Sequence, residues 1–193
     1  MNRTYHHGDL AAALLETSVA QVREAGIETL SLRAVAQIVG VSPAAAYHHF
    51  RDKEALMVAI CEFGRKDLAQ RFQTAIQLIP ADTDRDAVDR FRALGDAYIQ
   101  FAIDEPELFR LAFHPVAQLA SDQEEDGAMD ILQTCLLDLE RRGLIRPSVA
   151  AGSALLAWTA VHGFAELLTA GLISAEQQPL LIDVVIASTI EAR

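Results

Sequence analysis

Apolar residues recur along this chain at intervals of three and four, the spacing of one face of an α-helix, and strict alternation is nearly absent. Start and stop signals divide that pattern into nine helices. The first is read from about Asp9 to Ala25, with Gly26 as a left-handed stop. Ser31 caps a short second helix, Leu32 to Val39, whose Leu32, Val35, Ala36 and Val39 share a face; Gly40 ends it. Ser42 caps the third, with Pro43 at the first position, where a missing N–H costs nothing, and Phe50 near its end. Asp52 opens a long fourth helix, Lys53 to about Leu78, stopped by Pro80. The fifth spans about Asp84 to Ile103; Asp104 and Pro106 open the sixth, which Pro115 closes. An acidic loop, Asp122 to Asp126, leads into a seventh helix ending at Arg141, Arg142 and Gly143. The eighth covers about Ser148 to Ala170, and Ser174 with Gln177 makes a capping-box pattern for the ninth, ending near Ala192. The expected fold is all-α. A three-helix helix-turn-helix domain over residues 1–52 precedes a helical bundle over residues 53–193.

The second and third helices are joined by the three residues Gly40, Val41 and Ser42. Ala36 is small enough for close crossing, Gly40 permits a positive φ, and Val41, Ala46 and Phe50 can pack inward against Leu30, Val35 and the first helix. The third helix is too short to hold itself together, so that packing must fix it. Its outer face is then free to enter a major groove. Spacing alone leaves open an ordinary helical hairpin. The following Tyr47-His48-His49-Phe50 and Asp52-Lys53-Glu54-Ala55-Leu56 tip the balance toward DNA binding.

The net charge of −11 argues at first against a nucleic-acid partner. Its distribution reverses that. Residues 1–53 balance Arg3, Arg23, Arg33, Arg51 and Lys53 against Asp9, Glu16, Glu24, Glu28 and Asp52, so the whole excess lies in residues 54–193. A neutral head can approach phosphate while an acidic body is repelled by it. Cys61 and Cys135 lie in apolar helical patterns without metal-type spacing and read as reduced buried thiols. Adjacent histidines on a helix point about 100° apart and cannot chelate together, so no metal is expected from His6, His7, His48 and His49. The polar start at residues 1–9 carries no secretory signal, and a cytoplasmic location is expected. Pro147 to Ala165 is uncharged, yet Ser148, Gly152, Ser153, Thr159 and His162 make it a buried helix rather than a membrane span. With no Gly-rich phosphate loop, nucleophile elbow or paired catalytic carboxylates, neither enzyme activity nor a cofactor is expected.

Three runs carry a family resemblance: Gly26-Ile27-Glu28-Thr29-Leu30-Ser31-Leu32-Arg33, Val35-Ala36-Gln37-Ile38-Val39-Gly40-Val41-Ser42, and Tyr47 through Leu56. From about Leu10 to Leu56 the chain resembles the DNA-binding domain of the tetracycline-repressor (TetR) family, and Tyr5-His6-His7-Gly8-Asp9-Leu10 is similar to the opening of many members. The body resembles the carboxy-terminal domain type named for its Trp, His and Gly, here Trp158, His162 and Gly163. The resemblance implies a transcriptional regulator, a repressor that binds double-stranded DNA as a homodimer and is released by a small molecule. It implies that Arg33 meets phosphate or a base edge and Ser31 supports a phosphate. Pro43, Ala44 and Ala45 face the bases, Tyr47 and His49 hold the backbone with His48 nearby, and Lys53 adds a phosphate contact. It also implies a dimer through the last two helices, about 148–192.

Pro43-Ala44-Ala45-Ala46 departs from a donor-rich reading helix, so bases would be read there by apolar contact, such as alanine on a thymine methyl. Hydrogen bonds to bases would come from Arg33, Ser42 or an arm of Asn2, Arg3, Thr4 and Tyr5; a frayed, uninvolved terminus is the alternative for that arm. A ligand pocket is expected inside helices 4 to 8, with Phe63, Tyr98, Phe101, Phe109, Phe113, Met129, Trp158 and His162 as candidate lining, and ordinary core packing as the competing reading of each. That lining favours an apolar or aromatic effector.

Overall fold

The computed structural model describes residues 7–116 and 127–191. The described residues form nine α-helices: α1 His7–Ala25, α2 Leu32–Val39, α3 Pro43–His49, α4 Lys53–Gln77, α5 Asp84–Asp104, α6 Pro106–Ala112, α7 Gly127–Arg141, α8 Ser153–Thr169 and α9 Gln178–Thr189. Extended pairing among them is confined to one isolated bridge, Ile145 with Ile190. The all-α expectation holds, and each expected helix has its counterpart. The arm at Asn2–Tyr5 and the acidic loop at Asp122–Asp126 lie outside the described residues.

The chain clusters into two compact units, residues 7–64 with 105–116 and residues 65–104 with 127–191. The first holds α1 to α3, the first half of α4, and α6. Its core joins Leu14 and Val22 of α1 to Leu32 and Val35 of α2, Ala46 of α3, and Leu56 and Ile60 of α4, all nearly or fully shut off from water. Burial of such side chains is the main favourable term in folding. Asp52 caps α4 by accepting from the Ala55 N–H at 2.7 Å, as its position before Lys53 predicts. Arg23 of α1 donates to Glu105, just before α6, at 2.8 Å.

In the second unit α5 packs against α7, α8 and α9, and it buries Phe91, Leu94, Tyr98, Ile99 and Phe101. Gly95 makes one approach possible: a Cβ there would sit 2.6 Å from Cδ1 of Ile182 on α9. Thr83 and Asp86 cap α5 reciprocally, the Thr83 N–H reaching the carboxylate at 2.8 Å and the Asp86 N–H reaching Oγ1 at 3.1 Å. The hydrogen bonds from Thr83 hold the Asp86 carboxyl below its usual range.

The ends of the last two helices differ from expectation. The chain makes a 3-10 turn at Ala150–Gly152 before α8 begins, and another at Ala175–Gln177 before α9. The Ser174–Gln177 capping box forms on that second turn. α9 stops at Thr189 because Ile190 is extended and pairs with Ile145. Arg146 N–H donates to Thr189 O at 2.9 Å, and Glu191 N–H to Leu144 O at 2.8 Å. The Arg146 guanidinium also donates to the carbonyls of Ala187 and Ile190, which the helix end leaves without intrahelical partners. The uncharged stretch from Pro147 is a helix buried along Ser153, Ala157, Val161 and Phe164. Among the described residues no helix is long and apolar enough to cross a membrane.

Candidate nucleic-acid interface and effector cavity

Gly40 adopts φ 81° and ψ 30°, the left-handed region that favours glycine. Its N–H reaches Gln37 O at 3.2 Å and the Val41 N–H reaches Ala36 O at 2.9 Å, the paired bonds of a Schellman stop. Two residues on, the Ser42 hydroxyl accepts from Ala45 N–H at 3.2 Å and starts α3. Ala36 and Ala46 are wholly buried, so small residues let α2 and α3 close on each other.

Sealing Ala46 inward determines what α3 presents outward. Pro43, Ala44, Tyr47 and His48 are exposed, while Ala45 and His49 are half-buried. Tyr47 leaves 42% of its surface in water, unusual for a large aromatic side chain unless a partner covers it. Arg33 stands exposed in the first turn of α2. Ser31 at its cap makes no side-chain capping bond, which leaves the hydroxyl to other acceptors and donors. Lys53 spends one of its three N–H donors on Ile27 O at 3.2 Å and remains exposed at the start of α4. The His48 and His49 rings meet edge to face at 5.6 Å. Among the described residues no group of three His, Cys, Asp or Glu is placed to hold a metal ion. Ile38, which the sequence reading passed over, stands 67% exposed on α2, one position off the buried Leu32–Val35–Ala36 face.

The eight residues read as pocket lining divide between the units. Phe63, Phe109 and Phe113 fall in the first, where Arg23 lies over the Phe63 ring and Phe109 packs edge-on against Phe113 at 5.3 Å. Tyr98, Phe101, Met129, Trp158 and His162 fall in the second. Tyr98 and Phe101 are wholly buried; Tyr98 meets Trp158 edge-on at 5.2 Å and reaches His162 Nδ1 at 2.7 Å. Burial pulls His162 below its ordinary value, with Glu166 opposing. The space left beside Tyr98 and Trp158 is about 30 Å³. That is room for little more than a water molecule.

A cleft of about 760 Å³ opens elsewhere in this unit, walled by α4, α5 and α7. Its lining includes Lys66, Gln70, Arg90, Thr134, Cys135 and Asp138, and none of the eight aromatic, Met or His candidates. Burial pushes the Cys135 thiol up to about 11, against a smaller opposing effect of Arg90.

An amino-terminal helix-turn-helix with its second helix turned outward, on an otherwise helical chain, is the build of a DNA-binding regulator. Residues 14–60 match the family described as Bacterial regulatory proteins, tetR family, and residues 91–189 match the Tetracyclin repressor-like, C-terminal domain. The chain belongs to the tetracycline-repressor family, and its domains are those of a DNA-binding transcription regulator. It is similar in structure to a protein of unknown function from Rhodococcus sp. RHA1, 27% identical over 98% of this chain and 100% of that one, at a TM-score of 0.75. A TetR family transcription regulator from Marinobacter aquaeolei VT8 shares the fold at 19% identity, covering 94% of this chain and 96% of that one, TM-score 0.66. So does the TetR family regulator PfmR from Thermus thermophilus, at 21% identity, 90% and 97% coverage, and TM-score 0.65. No curated protein matches the chain.

Proposed function

We propose that the protein is a homodimeric repressor that acts in the cytoplasm, grips a near-palindromic operator with two α3 helices, and lets go when a small molecule binds the body. The observation that carries this reading is the orientation of α3, with Ala46 sealed inward and Pro43, Ala44, Tyr47 and His48 outward. On DNA, Arg33, Ser31, Tyr47, His49 and Lys53 hold phosphates and sugars, while Pro43, Ala44 and Ala45 meet base edges by apolar contact.

The partner face lies on α8 and α9. Leu155 and Leu180 are 69% and 65% exposed, and Leu156, Leu167 and Val184 are exposed with them. So much apolar surface on two consecutive helices fits a second copy of the chain. A twofold dimer then sets its α3 helices about 34–36 Å apart, or a multiple of that, which is why the operator is near-palindromic. α4 contributes to both units and is one of the covalent routes from a body ligand to the head. A coupling of about 1–3 kcal/mol suffices for a several-fold to hundred-fold loss of DNA affinity.

The test selects bound fragments from genomic DNA and measures their affinity by fluorescence anisotropy for wild type, Arg33→Ala and Tyr47→Ala. Both substitutions weaken binding, and wild-type affinity falls steeply with salt. Unchanged affinity in both variants removes the assigned interface.

A further inference from the structure

The cleft between α4, α5 and α7 carries an unanswered cation. Arg71, Arg92, Arg142 and Arg146 of the same unit are all partnered, respectively by Asp67 and Asp104, by Asp183, by Asp138 and Asp84, and by backbone carbonyls. Arg90, on the cleft wall, makes no hydrogen bond or ion pair with any described residue, and its Nε is shut off from water without an acceptor. A ligand in the cleft cannot reach that enclosed Nε, but Nη1 and Nη2 are not shut in, and this end of the planar guanidinium fits a carboxylate bidentately. The other charges of the lining do not answer it. Asp138 is held by Arg142 at 3.1 Å, and Asp130 makes no ion pair with Arg90. Cys135, near enough to feel the Arg90 charge, stays a neutral thiol and supplies it no counter-charge. Ile76, Ala87 and Ile131 add an apolar wall, and a volume of about 760 Å³ suits a small organic ligand.

We infer that this cleft binds an organic acid, its carboxylate on the Arg90 guanidinium and its carbon body against Ile76, Ala87 and Ile131. As the identity of the effector, this rests on the regulator reading above; as a binding site it is tested without DNA.

Full-length protein is titrated calorimetrically with hexanoate, octanoate, benzoate and phenylacetate, and with the uncharged amide of each. At least one acid binds saturably, its amide binds about ten-fold or more weakly, and Arg90→Gln binds the acid about as weakly as wild type binds the amide. The inference is overturned by equal binding of acid and amide to wild type, by an Arg90→Gln variant that keeps the acid's affinity, or by the failure of all four acids to bind. The acid–amide comparison uses wild type alone, so it stands whether or not the variant folds; a melting curve of ligand-free Arg90→Gln settles its folding. Operator affinity measured alongside separates the two readings. An acid that binds through Arg90 and leaves DNA affinity unchanged removes effector release and keeps the site. Release by a neutral amide, undiminished in Arg90→Gln, removes the acid site and keeps the regulator.

Discussion

Tyr98 and His162 are joined inside the second unit, the phenol oxygen 2.7 Å from Nδ1 of the imidazole. With the neutral ring's proton on Nε2, the phenol O–H donates to Nδ1 and Nε2–H faces Glu166 Oε1 at 3.8 Å. The pair ties the middle of α5 to α8 at a position where Tyr98 has no contact with water.

This linkage predicts a pH dependence of stability. Burial holds folded His162 below the ordinary 6.5, with Glu166 pulling the other way, so the unfolded chain takes up the proton first. The contribution is complete above about pH 6.5 and is lost as pH falls toward the lower folded value. Melting curves of wild type and His162→Gln between about pH 7.5 and about pH 5.5 should converge as pH falls. Parallel curves would remove the assignment. Tyr98→Phe, which leaves Nδ1 without its partner, should cost about 1 kcal/mol, roughly 2–4 °C in melting temperature for a chain of this size.

Gly95→Ala should destabilise by about 1–3 kcal/mol, because the new Cβ arrives 2.6 Å from Cδ1 of Ile182, itself buried. Ile182→Val deletes that methyl. In the Gly95→Ala background it should recover stability, although alone it costs about 0.5–1.5 kcal/mol. Denaturant unfolding of the four proteins checks the sign of the coupling, and simple additivity would rule out the proposed contact.

At Gly40 the penalty is conformational rather than steric, since a Cβ there meets nothing within 4 Å. Gly40→Ala should cost about 1–2 kcal/mol from the left-handed φ alone, and Gly40→Asn less, because asparagine tolerates that region. Urea midpoints rank the three proteins; an alanine variant as stable as wild type contradicts the turn geometry.

If α8 and α9 carry the dimer, Leu155→Glu combined with Leu180→Glu should convert the protein to monomers without unfolding it, since both side chains already stand in water on the single chain. Sedimentation velocity reads the assembly and circular dichroism the fold. A double variant that sediments as wild type places the partner elsewhere.

What was legible in the sequence was what is locally determined. Gly40, Ser42 and Pro43 specify a stop, a cap and a start within four residues, and the three apolar positions Leu32, Val35 and Ala36 specify which side of α2 is buried. The end of α9 was not legible, because Ile190 leaves the helix to pair with Ile145, far away in sequence. The cleft was missed for a different reason. Aromatic side chains drew attention as pocket lining, yet Tyr98 and Phe101 fill the space they occupy. The open volume is bounded by Lys66, Gln70, Gln73 and Thr134, which in sequence resemble any solvated helix face. Nothing local distinguishes Arg90 from Arg85 or Arg92 on α5; only tertiary packing decides that the Arg90 Nε is closed off from water.

The pairing of Ile145 with Ile190 joins the two ends of the stretch that contains α8 and α9, so the stretch behaves as a closed loop rather than a free tail. Fraying cannot begin at the Glu191 side without first breaking the bonds to Leu144 and Arg146. Amide protons along both helices should therefore exchange as one cooperative block, and the leucines they display remain fixed in relation to one another until the whole block opens.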